Sequence, residues 1–478
     1  MKYFKTEGRF VPHLTPSQMT TFPLFYISLL LLGTLNFLTS IHGVEQFHTV
    51  QISSISPSQK CEASPQGEEN EAALRVVHVH GPCSTIEDDD QTLEDLLRQD
   101  EARVAAIHGR HPLPQTDTSV LPATSGIPLG TGNYVVKVGL GTPAKDLTVV
   151  FDTGSAFSWT QCKPCRVCYK QVDPVFDPSL SSSYTNVSCR SQPCSIISSE
   201  TGFPARCSTT TCVYGILYGD NSLSFGYLAK EKLTISKNGT ASEIFFGCAK
   251  INEGLFGKAS GLLGLGRSPL SIISTTAQNY GRVFSYCLPS SLSRTGFLAF
   301  GGRGSRSKAQ LQYTPISSSY SSVLYGVDIV GISVDGVTLP IAPQVFSVAQ
   351  GIIDSGTVIT RLPPAAYSVL RDAVKKAMAK YPPAPPVSIL DTCFNITGLT
   401  TINYPPVYFK FKGGAAVKLH FTGTFISRVR NAFHICLAFA PNQFPTDVIV
   451  FANTQQRTLE VVYDGAGGRI GFASDGCS

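Results

Sequence analysis

The chain has 478 residues, of which 42% are hydrophobic and only 15% are charged. This composition excludes an intrinsically disordered protein and allows two or three packed domains. The formal net charge is +5, but residues 1–125 carry 8 Lys and Arg against 15 Asp and Glu, so the remainder is strongly basic. The basic residues are scattered and not interleaved with aromatic residues, which argues against nucleic-acid binding.

The first 43 residues have the pattern of a secretory signal. Basic residues, among them Lys2 and Arg9, precede an apolar run from Phe22 to Leu38, and the small residues Ser40 and Gly43 follow. The run is short for a membrane span, so a retained signal anchor is the lesser alternative. We expect residues 1–43 to be a signal peptide and the rest to have no membrane association after its removal.

Residues 44–123 are predicted to be a removable propeptide, here called the leader. A strand is expected from Leu74 to His80, and the acidic run from Glu87 to Asp90 precedes a helix from about Thr92 to His108. Thr92 and Asp95 approximate a capping box at its start. One helix face is apolar and consists of Leu93, Leu96, Leu97, Val104 and Ile107. These elements bury too little surface to be stable alone, and the acidic leader could lie against the basic body.

Downstream of the leader, short apolar runs are separated by turn residues, which is typical of an all-β protein. Strands are predicted at Tyr134–Leu140 and, in a matching stretch, at Tyr325–Val334. A helix is expected from Pro364 to about Lys380, with Arg371, Lys375, Lys376 and Lys380 on its solvated face. The body is therefore predicted to form two related lobes, at 124–315 and 316–478, joined near Gln310 to Ser322.

Two copies of a short motif stand 202 residues apart. Asp152-Thr153-Gly154-Ser155 follows the apolar residues 149–151, and Asp354-Ser355-Gly356-Thr357 follows residues 351–353. Each copy predicts a buried strand that runs into a tight turn presenting a carboxylate, with a glycine where another chain approaches closely. Two carboxylates that share a site cannot both ionise comfortably, so one keeps a proton while the other can accept one. This is an acid–base pair suited to hydrolysis.

Fourteen cysteines in a chain with a secretory signal favour disulfides. Cys162, Cys165 and Cys168 form a CxxCxxC cluster; zinc is the competing interpretation, but no histidine ligand is near, and we expect no metal and no cofactor. Glycosylation sequons occur at Asn186, Asn238 and Asn395.

The paired Asp motifs, the Tyr218-Gly219-Asp220 segment between them and the cysteine cluster resemble pepsin-like aspartic proteases. The likeness is greatest to the plant branch with a cysteine-rich insertion, which includes the nepenthesins and chloroplast-nucleoid-type aspartyl proteases. The resemblance implies an all-β, bilobal fold with lobes related by a pseudo-twofold axis and an active-site cleft between them.

The same resemblance implies roles for individual residues. Asp152 and Asp354 would form a catalytic dyad that activates a water, Thr153 and Ser355 would cross-brace the two loops, and Ser155 and Thr357 would orient the carboxylates. Tyr218 would lie on a hairpin that closes over substrate, paired with Trp159. This sequence departs from the family pattern at Ala156, Asn221 and Ala452, which puts efficiency and hairpin mobility in question.

The resemblance also implies a disulfide pattern. The expected pairs are Cys162–Cys165, Cys168–Cys248, Cys189–Cys212, Cys194–Cys207, Cys287–Cys477 and Cys393–Cys436, with Cys61 and Cys83 left for the leader.

The predicted function is a secreted aspartic endopeptidase that is made as a zymogen, works at acidic pH, and acts as a monomer on protein or peptide substrates. The expected location is the apoplast, with the vacuole or chloroplast as alternatives. One alternative function is an inhibitor or binding protein on the same fold, since plant xylanase inhibitors share it without catalytic competence. Another is a plastid nucleoid protease that also binds DNA.

Overall fold

The computed structural model describes residues 48–55, 58, 60–62, 72–86, 92–109, 134–218, 222–235, 241–254, 256–302, 309–317, 321–428 and 431–477. The predicted signal peptide, residues 87–90 and Asn238 lie outside these ranges. None of the described helices is both long and apolar enough to cross a membrane. Asn186 and Asn395 are exposed, as an acceptor for glycosylation requires.

Strands dominate the described chain, as the sequence predicts. In the first half they are β1 (His48–Gln51), β2 (Ala73–His78), β3 (Tyr134–Leu140), β4 (Lys145–Asp152), β5 (Trp159–Gln161), β6 (Thr185–Asn186), β7 (Arg206–Ser208), β8 (Thr211–Leu217), β9 (Leu223–Thr234), β10 (Ser242–Glu253), β11 (Gly261–Gly264), β12 (Val283–Cys287) and β13 (Gly296–Phe300).

The second half continues the series. Its strands are β14 (Gln312–Pro315), β15 (Ile329–Val334), β16 (Val337–Thr338), β17 (Gly351–Ile353), β18 (Thr360–Leu362), β19 (Pro383–Ala384), β20 (Cys393–Asn395), β21 (Thr401–Tyr404), β22 (Val407–Phe411), β23 (Ala416–Lys418), β24 (Phe425–Arg428), β25 (Asn431–Leu437), β26 (Phe439–Pro441), β27 (Ile449–Phe451), β28 (Glu460–Asp464) and β29 (Arg469–Ala473).

Helices are few among the described residues. They are α1 (Ile52–Ile55), α2 (Leu93–His108), α3 (Gln192–Thr201), α4 (Ile272–Thr275), α5 (Ala277–Tyr280), α6 (Pro343–Ala349), α7 (Pro364–Ala377) and α8 (Phe421–Thr424), with 3₁₀ turns at Pro178–Leu180 and Asn453–Gln456. Helix α7 begins where predicted but ends three residues before Lys380. Strand β15 begins four residues later than the predicted Tyr325. Between 325 and 328, Gly326 forms two isolated bridges, to Ser317 and to Ile352, and no continuous ladder.

The leader supplies a strand in the middle of the largest sheet. This 15-stranded sheet has the order β14-β29-β28-β12-β13-β2-β3-β4-β11-β5-β10-β9-β8-β7, with β6 on β9. Ala73–Val76 of β2 pair with β13, and Val77 and His78 pair with β3. Strand β2 therefore joins the two halves of the sheet, and Val76 is fully buried in the main core. The leader is part of the folded body and not only a cover on its surface.

Helix α2 has the predicted start and the predicted apolar face. The Thr92 hydroxyl accepts from the Asp95 N–H and the Asp95 carboxylate accepts from the Thr92 N–H, which completes the capping box. Leu93, Leu96 and Leu97 pack against body residues that include Val358, Ile359, Val387, Leu390, Ile426 and Ala438. Each such side chain, once buried, contributes about 1.5–3 kcal/mol, so the helix is held mainly by this face.

The disulfides correct four of the predicted pairings. The pairs are Cys162–Cys248, Cys165–Cys168, Cys189–Cys207 and Cys194–Cys212, whereas Cys61–Cys83, Cys287–Cys477 and Cys393–Cys436 are as expected. The predicted Cys162–Cys165, Cys168–Cys248, Cys189–Cys212 and Cys194–Cys207 pairs are wrong. All three sulfurs of the CxxCxxC cluster are thus bonded to other sulfurs.

Strand register and helix direction explain the corrected pairs. Cys162 continues β5 alongside β10, where its N–H donates to Ala249, so it faces Cys248. Helix α3 turns Cys194 inward against buried Cys212, whereas Cys189, ahead of that helix, meets exposed Cys207. Neither the strand register at Cys162 nor the helix direction at Cys194 can be deduced from the spacing of the cysteines alone.

Two disulfides offer a matched test of this arrangement, because Cys189–Cys207 and Cys194–Cys212 each span 18 residues. Their loop-closure terms are therefore equal, at about 3 kcal/mol. Replacing buried Cys194 and Cys212 together with Ala should cost about 1–2 kcal/mol more than replacing Cys189 and Cys207, since only the former leaves a cavity. Thermal denaturation of the two double variants measures the difference; equal losses would contradict the assigned pairs.

Candidate active site

The two Asp motifs lie on loops of the same construction. In the first motif, strand β4 ends at Asp152 and runs parallel to β11, and β11 is antiparallel to β5. In the second motif, strand β17 ends just before Asp354 and runs parallel to β27, and β27 is antiparallel to β18. Leu262 pairs with both Val150 and Trp159, and Val450 pairs with both Ile352 and Arg361. The registers coincide position by position, so the sequence repeat is also a structural repeat.

Each Asp carboxylate is held by one hydroxyl and one backbone N–H of its own loop. The Ser155 hydroxyl and the Gly154 N–H donate to Asp152, at 2.5 and 2.9 Å. The Thr357 hydroxyl and the Gly356 N–H donate to Asp354 in the same way, the latter at 2.9 Å. Both carboxylates are almost completely buried. These bonds fix the carboxylate planes and favour the charged form.

The loops are tied together by reciprocal hydrogen bonds. The Thr153 N–H donates to the Ser355 hydroxyl at 3.0 Å, and the Ser355 N–H donates to the Thr153 hydroxyl at 2.9 Å. The glycines permit this approach: a Cβ on Gly154 would lie 2.5 Å from an Asp354 oxygen, and one on Gly356 2.5 Å from an Asp152 oxygen. Any larger residue would push the two carboxylates apart.

A guanidinium from the leader lies between the two carboxylates. Arg103 of α2 donates from Nη2 to Asp152 Oδ1 at 2.8 Å and to Asp354 Oδ1 at 2.9 Å, and from Nε to Asp354 Oδ2 at 3.0 Å. Its side chain is 1% exposed. Since one nitrogen contacts both acids, Arg103 occupies the point at which the two carboxylates converge.

Burial and charge oppose each other at this site. Burial acts to raise the pKa of Asp354, but the Arg103 charge and the Thr357 and Gly356 hydrogen bonds outweigh it and lower the pKa. At Asp152 burial prevails over Arg103, and the negative charge of Asp354 adds to it, so the pKa is raised. Burial alone would lower the pKa of Arg103, but both Asp charges raise it, so Arg103 stays charged.

Amide side chains support the second loop from below. Gln456 donates to the backbone carbonyls of Asp354 and Phe451, at 3.2 and 2.8 Å, and Asn453 donates to that of Ser355 at 3.0 Å. The Tyr286 hydroxyl contacts both Gln456 and Tyr463. This network supplies donors to the backbone carbonyls of the second loop and so restrains the loop beneath the carboxylates.

Comparison with known proteins gives consistent family relationships. The family model described as "Xylanase inhibitor N-terminal" matches residues 134–302, and "Xylanase inhibitor C-terminal" matches 324–474. An aspartyl protease family protein of Arabidopsis thaliana is 50% identical over 446 residues, which cover 90% of this chain and 93% of that protein. Aspartyl protease AED1 of the same plant is 45% identical over 441 residues, with coverage of 90% and 92%. Aspartic proteinase nepenthesin-2 of Nepenthes gracilis is 33% identical over 372 residues, with coverage of 75% and 82%.

This chain belongs to the plant branch of the pepsin-like aspartic protease family. The all-β, bilobal fold expected from the sequence is thereby established.

The hairpin expected to cover the cleft of this aspartic protease family member is described on both sides of its tip. Tyr218 ends the run of described residues after β8, and its hydroxyl accepts from the Trp159 indole N–H at 2.8 Å. Phe256 packs edge-on against both rings. Gly219, Asp220 and Asn221 lie outside the described residues. The pairing of Trp159 with Tyr218 implied by the resemblance is present as a hydrogen bond.

Two of the sequence departures are buried without displacing the acids. Ala156 packs its backbone against Gly264, where a Cβ would lie 2.8 Å from the Ala156 carbonyl carbon. Ala452 is the position in the second lobe that corresponds to Gly264, and its N–H donates to the Thr360 hydroxyl at 2.9 Å. The extra methyl is accommodated in the core, where Ala452 is fully buried.

Sequence reasoning missed Arg103 and its neighbour Asp100, although a signal for both was present. Asp100 lies seven residues after Leu93 and Arg103 lies ten residues after it, on the same helical stripe as Leu96, Leu97, Val104 and Ile107. Charged residues within an apolar stripe must meet buried partners or destabilise the helix contact. That pattern identifies residues that reach into a site.

Proposed function

We propose that this protein is an aspartic endopeptidase made as a latent precursor. The observation that carries the proposal is the pair of buried, hydrogen-bonded carboxylates of Asp152 and Asp354, brought together by two symmetry-related loops and neutralised by a leader guanidinium. The relatives named as aspartyl proteases support the same activity.

The geometry suits attack by water on a peptide carbonyl. Without Arg103, two close carboxylates would share a proton, because two adjacent negative charges are mutually unfavourable. The ionised member can then take a proton from a water while the protonated member donates to the carbonyl oxygen. Ser155 and Thr357 hold the two carboxylates in position, and the Tyr218 hairpin would exclude bulk water once substrate is bound.

Arg103 supports the latent state. Its Nη2 is hydrogen-bonded to both carboxylates and so occupies the position that an attacking water would need. The positive charge of Arg103 takes the place of the proton that the two carboxylates would otherwise share. The buried leucine face of α2 covers the adjoining surface. The precursor is therefore blocked both electrostatically and sterically, and cleavage between the leader and β3 would be the activating step.

The descriptions of the matching family models favour one second candidate, an inhibitor on the same scaffold. Such a protein would need neither carboxylate. Here both acids, their hydroxyl donors and the cross-bracing bonds are present, which supports the peptidase. Secretion to the apoplast and action as a monomer without cofactor or nucleic acid belong to the same proposal.

Replacing either acid should abolish proteolysis. In precursor that has been folded at full length and then freed of its leader, Asp152→Asn and Asp354→Asn are each expected to lower kcat/KM by at least about 10⁴-fold, because neither carboxylate can be both acid and base. The double variant should be little worse than either single one. Asp372→Asn, exposed on α7, is the matched control. Near-normal turnover by a single variant would exclude the shared dyad, and lack of turnover by the unmodified protein would favour the inhibitor.

Arg103 is expected to maintain latency. Arg103→Ala in the full-length precursor should give proteolysis at mildly acidic pH that is at least about tenfold above the parent, since truncating one partner of a buried ion pair costs about 3–5 kcal/mol. Arg98→Ala, on the exposed side of the same helix with the side chain 73% exposed, should change little. If the Arg103→Ala precursor were as inactive as the parent precursor while the leader-free enzyme was active, latency would be due only to steric coverage of the site by the leader.

Acid should loosen α2. Arg103 lowers the pKa of Asp354, so the ionised carboxylate of Asp354 stabilises the docked helix α2 at pH values above the ordinary Asp pKa of about 3.8. This stabilisation is lost as the pH falls through the lowered pKa. Burial raises the pKa of Asp152 and of Asp100; these two shifts have the opposite sign and favour the docked state on acidification. We expect the Asp354 contribution to dominate, because acid also lets the dyad regain its shared proton. Amide hydrogen exchange in α2 from pH 6 to 3 measures the outcome; protection that rises throughout would contradict it.

A further inference from the structure

A second buried ion pair connects the leader to the body near the catalytic loop. Asp100 of α2 is fully buried; its Oδ1 accepts the Val358 N–H at 2.6 Å and its Oδ2 accepts the Ile359 N–H at 3.2 Å. Nη2 of Arg361 lies 3.2 Å from Oδ2. Two backbone N–H donors of the loop that begins at Asp354 and one guanidinium charge on β18 therefore converge on one carboxylate of the leader.

The guanidinium of Arg361 depends on the leader for its counter-charge. Its side chain is 4% exposed, and among ion pairs of the described residues it enters one, with Asp100. Burial lowers the pKa of Arg361, and the carboxylates that act against burial, Asp100 and Glu101, are both on α2. Its Nη1 donates to the Ile359 carbonyl at 3.0 Å, which holds the side chain in place. Burying a cation for which the body offers no acidic partner costs free energy, and binding an acidic group of a ligand would offset that cost.

The internal repeat places Arg361 at the position of the second lobe that corresponds to Trp159. By strand register, Arg361 on β18 corresponds to Trp159 on β5, because Val450 and Leu262 are their respective partners. Trp159 contacts the Tyr218 hairpin above the first loop. The corresponding residue in the second lobe instead directs a guanidinium toward the leader helix. Both residues stand seven positions after their catalytic-loop Asp.

We propose that Arg361 and the N–H groups of Val358 and Ile359 form a subsite for an acidic side chain of the peptide substrate. This inference rests on the proposed function, in which the leader leaves and its Asp100 vacates the donors. Asp100 and Arg103 are one helical turn apart on α2, and the first contacts the loop that begins at Asp354 while the second contacts the dyad. The acid of the substrate would therefore lie within a few residues of the scissile bond.

The test uses peptides that differ only by Glu or Gln at each position around one cleavable bond. Enzyme folded at full length and then freed of its leader should cleave one Glu peptide about tenfold faster in kcat/KM than its Gln partner at pH 5.5, because hydrogen bonds to a charged group are worth more than neutral ones. At pH 3 the preference should disappear, since free Glu has a pKa of about 4.3 and becomes neutral.

Variants separate the subsite from general effects on the protein. Arg361→Gln should abolish the Glu preference while cleavage of the Gln peptide continues, and Arg361→Lys should keep part of it. Lys376→Gln, which removes an exposed charge from α7, should leave the preference intact. If Arg361→Gln fails to fold, the proposal is still tested by the parent enzyme, through its relative cleavage of the Glu and Gln peptides and the pH dependence of that ratio.

Three outcomes would overturn the proposal. Equal cleavage of Glu and Gln peptides at every position by the parent enzyme would mean that Arg361 serves only to hold the leader. A preference that survives Arg361→Gln would place the acid elsewhere. Cleavage of no peptide at all would refute the proposed function itself, and with it this subsite, whereas the first two outcomes leave the peptidase assignment intact.

Discussion

Two carboxylates buried at one point require a counter-charge, and the organisation of this protein follows from that requirement. The cross-braced loops bring Asp152 and Asp354 together, and their glycines remove the atoms that would keep them apart. In the structure the required charge is Arg103. In the active enzyme that we propose it would be a proton. The same electrostatic demand would thus account for both the latent and the working state of the proposed peptidase, with the position of the leader helix determining which of them is populated.

The leader is integrated into the fold at two levels. Strand β2 is a central member of the largest sheet, with ladder bonds on both edges, while α2 lies across the second catalytic loop with two charged residues among its apolar ones. The strand fixes where the helix can reach, and the apolar face supplies most of the binding free energy. The ion pairs then specify register, because sliding the helix by one turn would leave Arg103 and Asp100 buried without partners.

Local patterns predicted the local features well. The capping box of α2, the extent of β3 and the two strands that lead into Asp152 and Asp354 all follow from residue type and periodicity. Features that depend on which strands become neighbours were not predictable in this way. Four disulfide pairings failed because Cys162 faces β10 and α3 turns Cys194 inward, and no spacing rule contains those orientations. Arg103 and Asp100 were missed because a charge on an apolar face has meaning only once the opposing surface is known.

Trp159 is the only tryptophan in the 478-residue chain, and it lies at the junction between the catalytic loop and the covering hairpin. Its indole is buried and bonded to the Tyr218 hydroxyl. Any movement of the hairpin that breaks this bond changes the polarity around the indole. The chain has 18 tyrosines but one tryptophan, so light that tyrosine does not absorb excites Trp159 alone. Opening or closing of the hairpin would then be followed by the emission wavelength of Trp159, without attaching a dye.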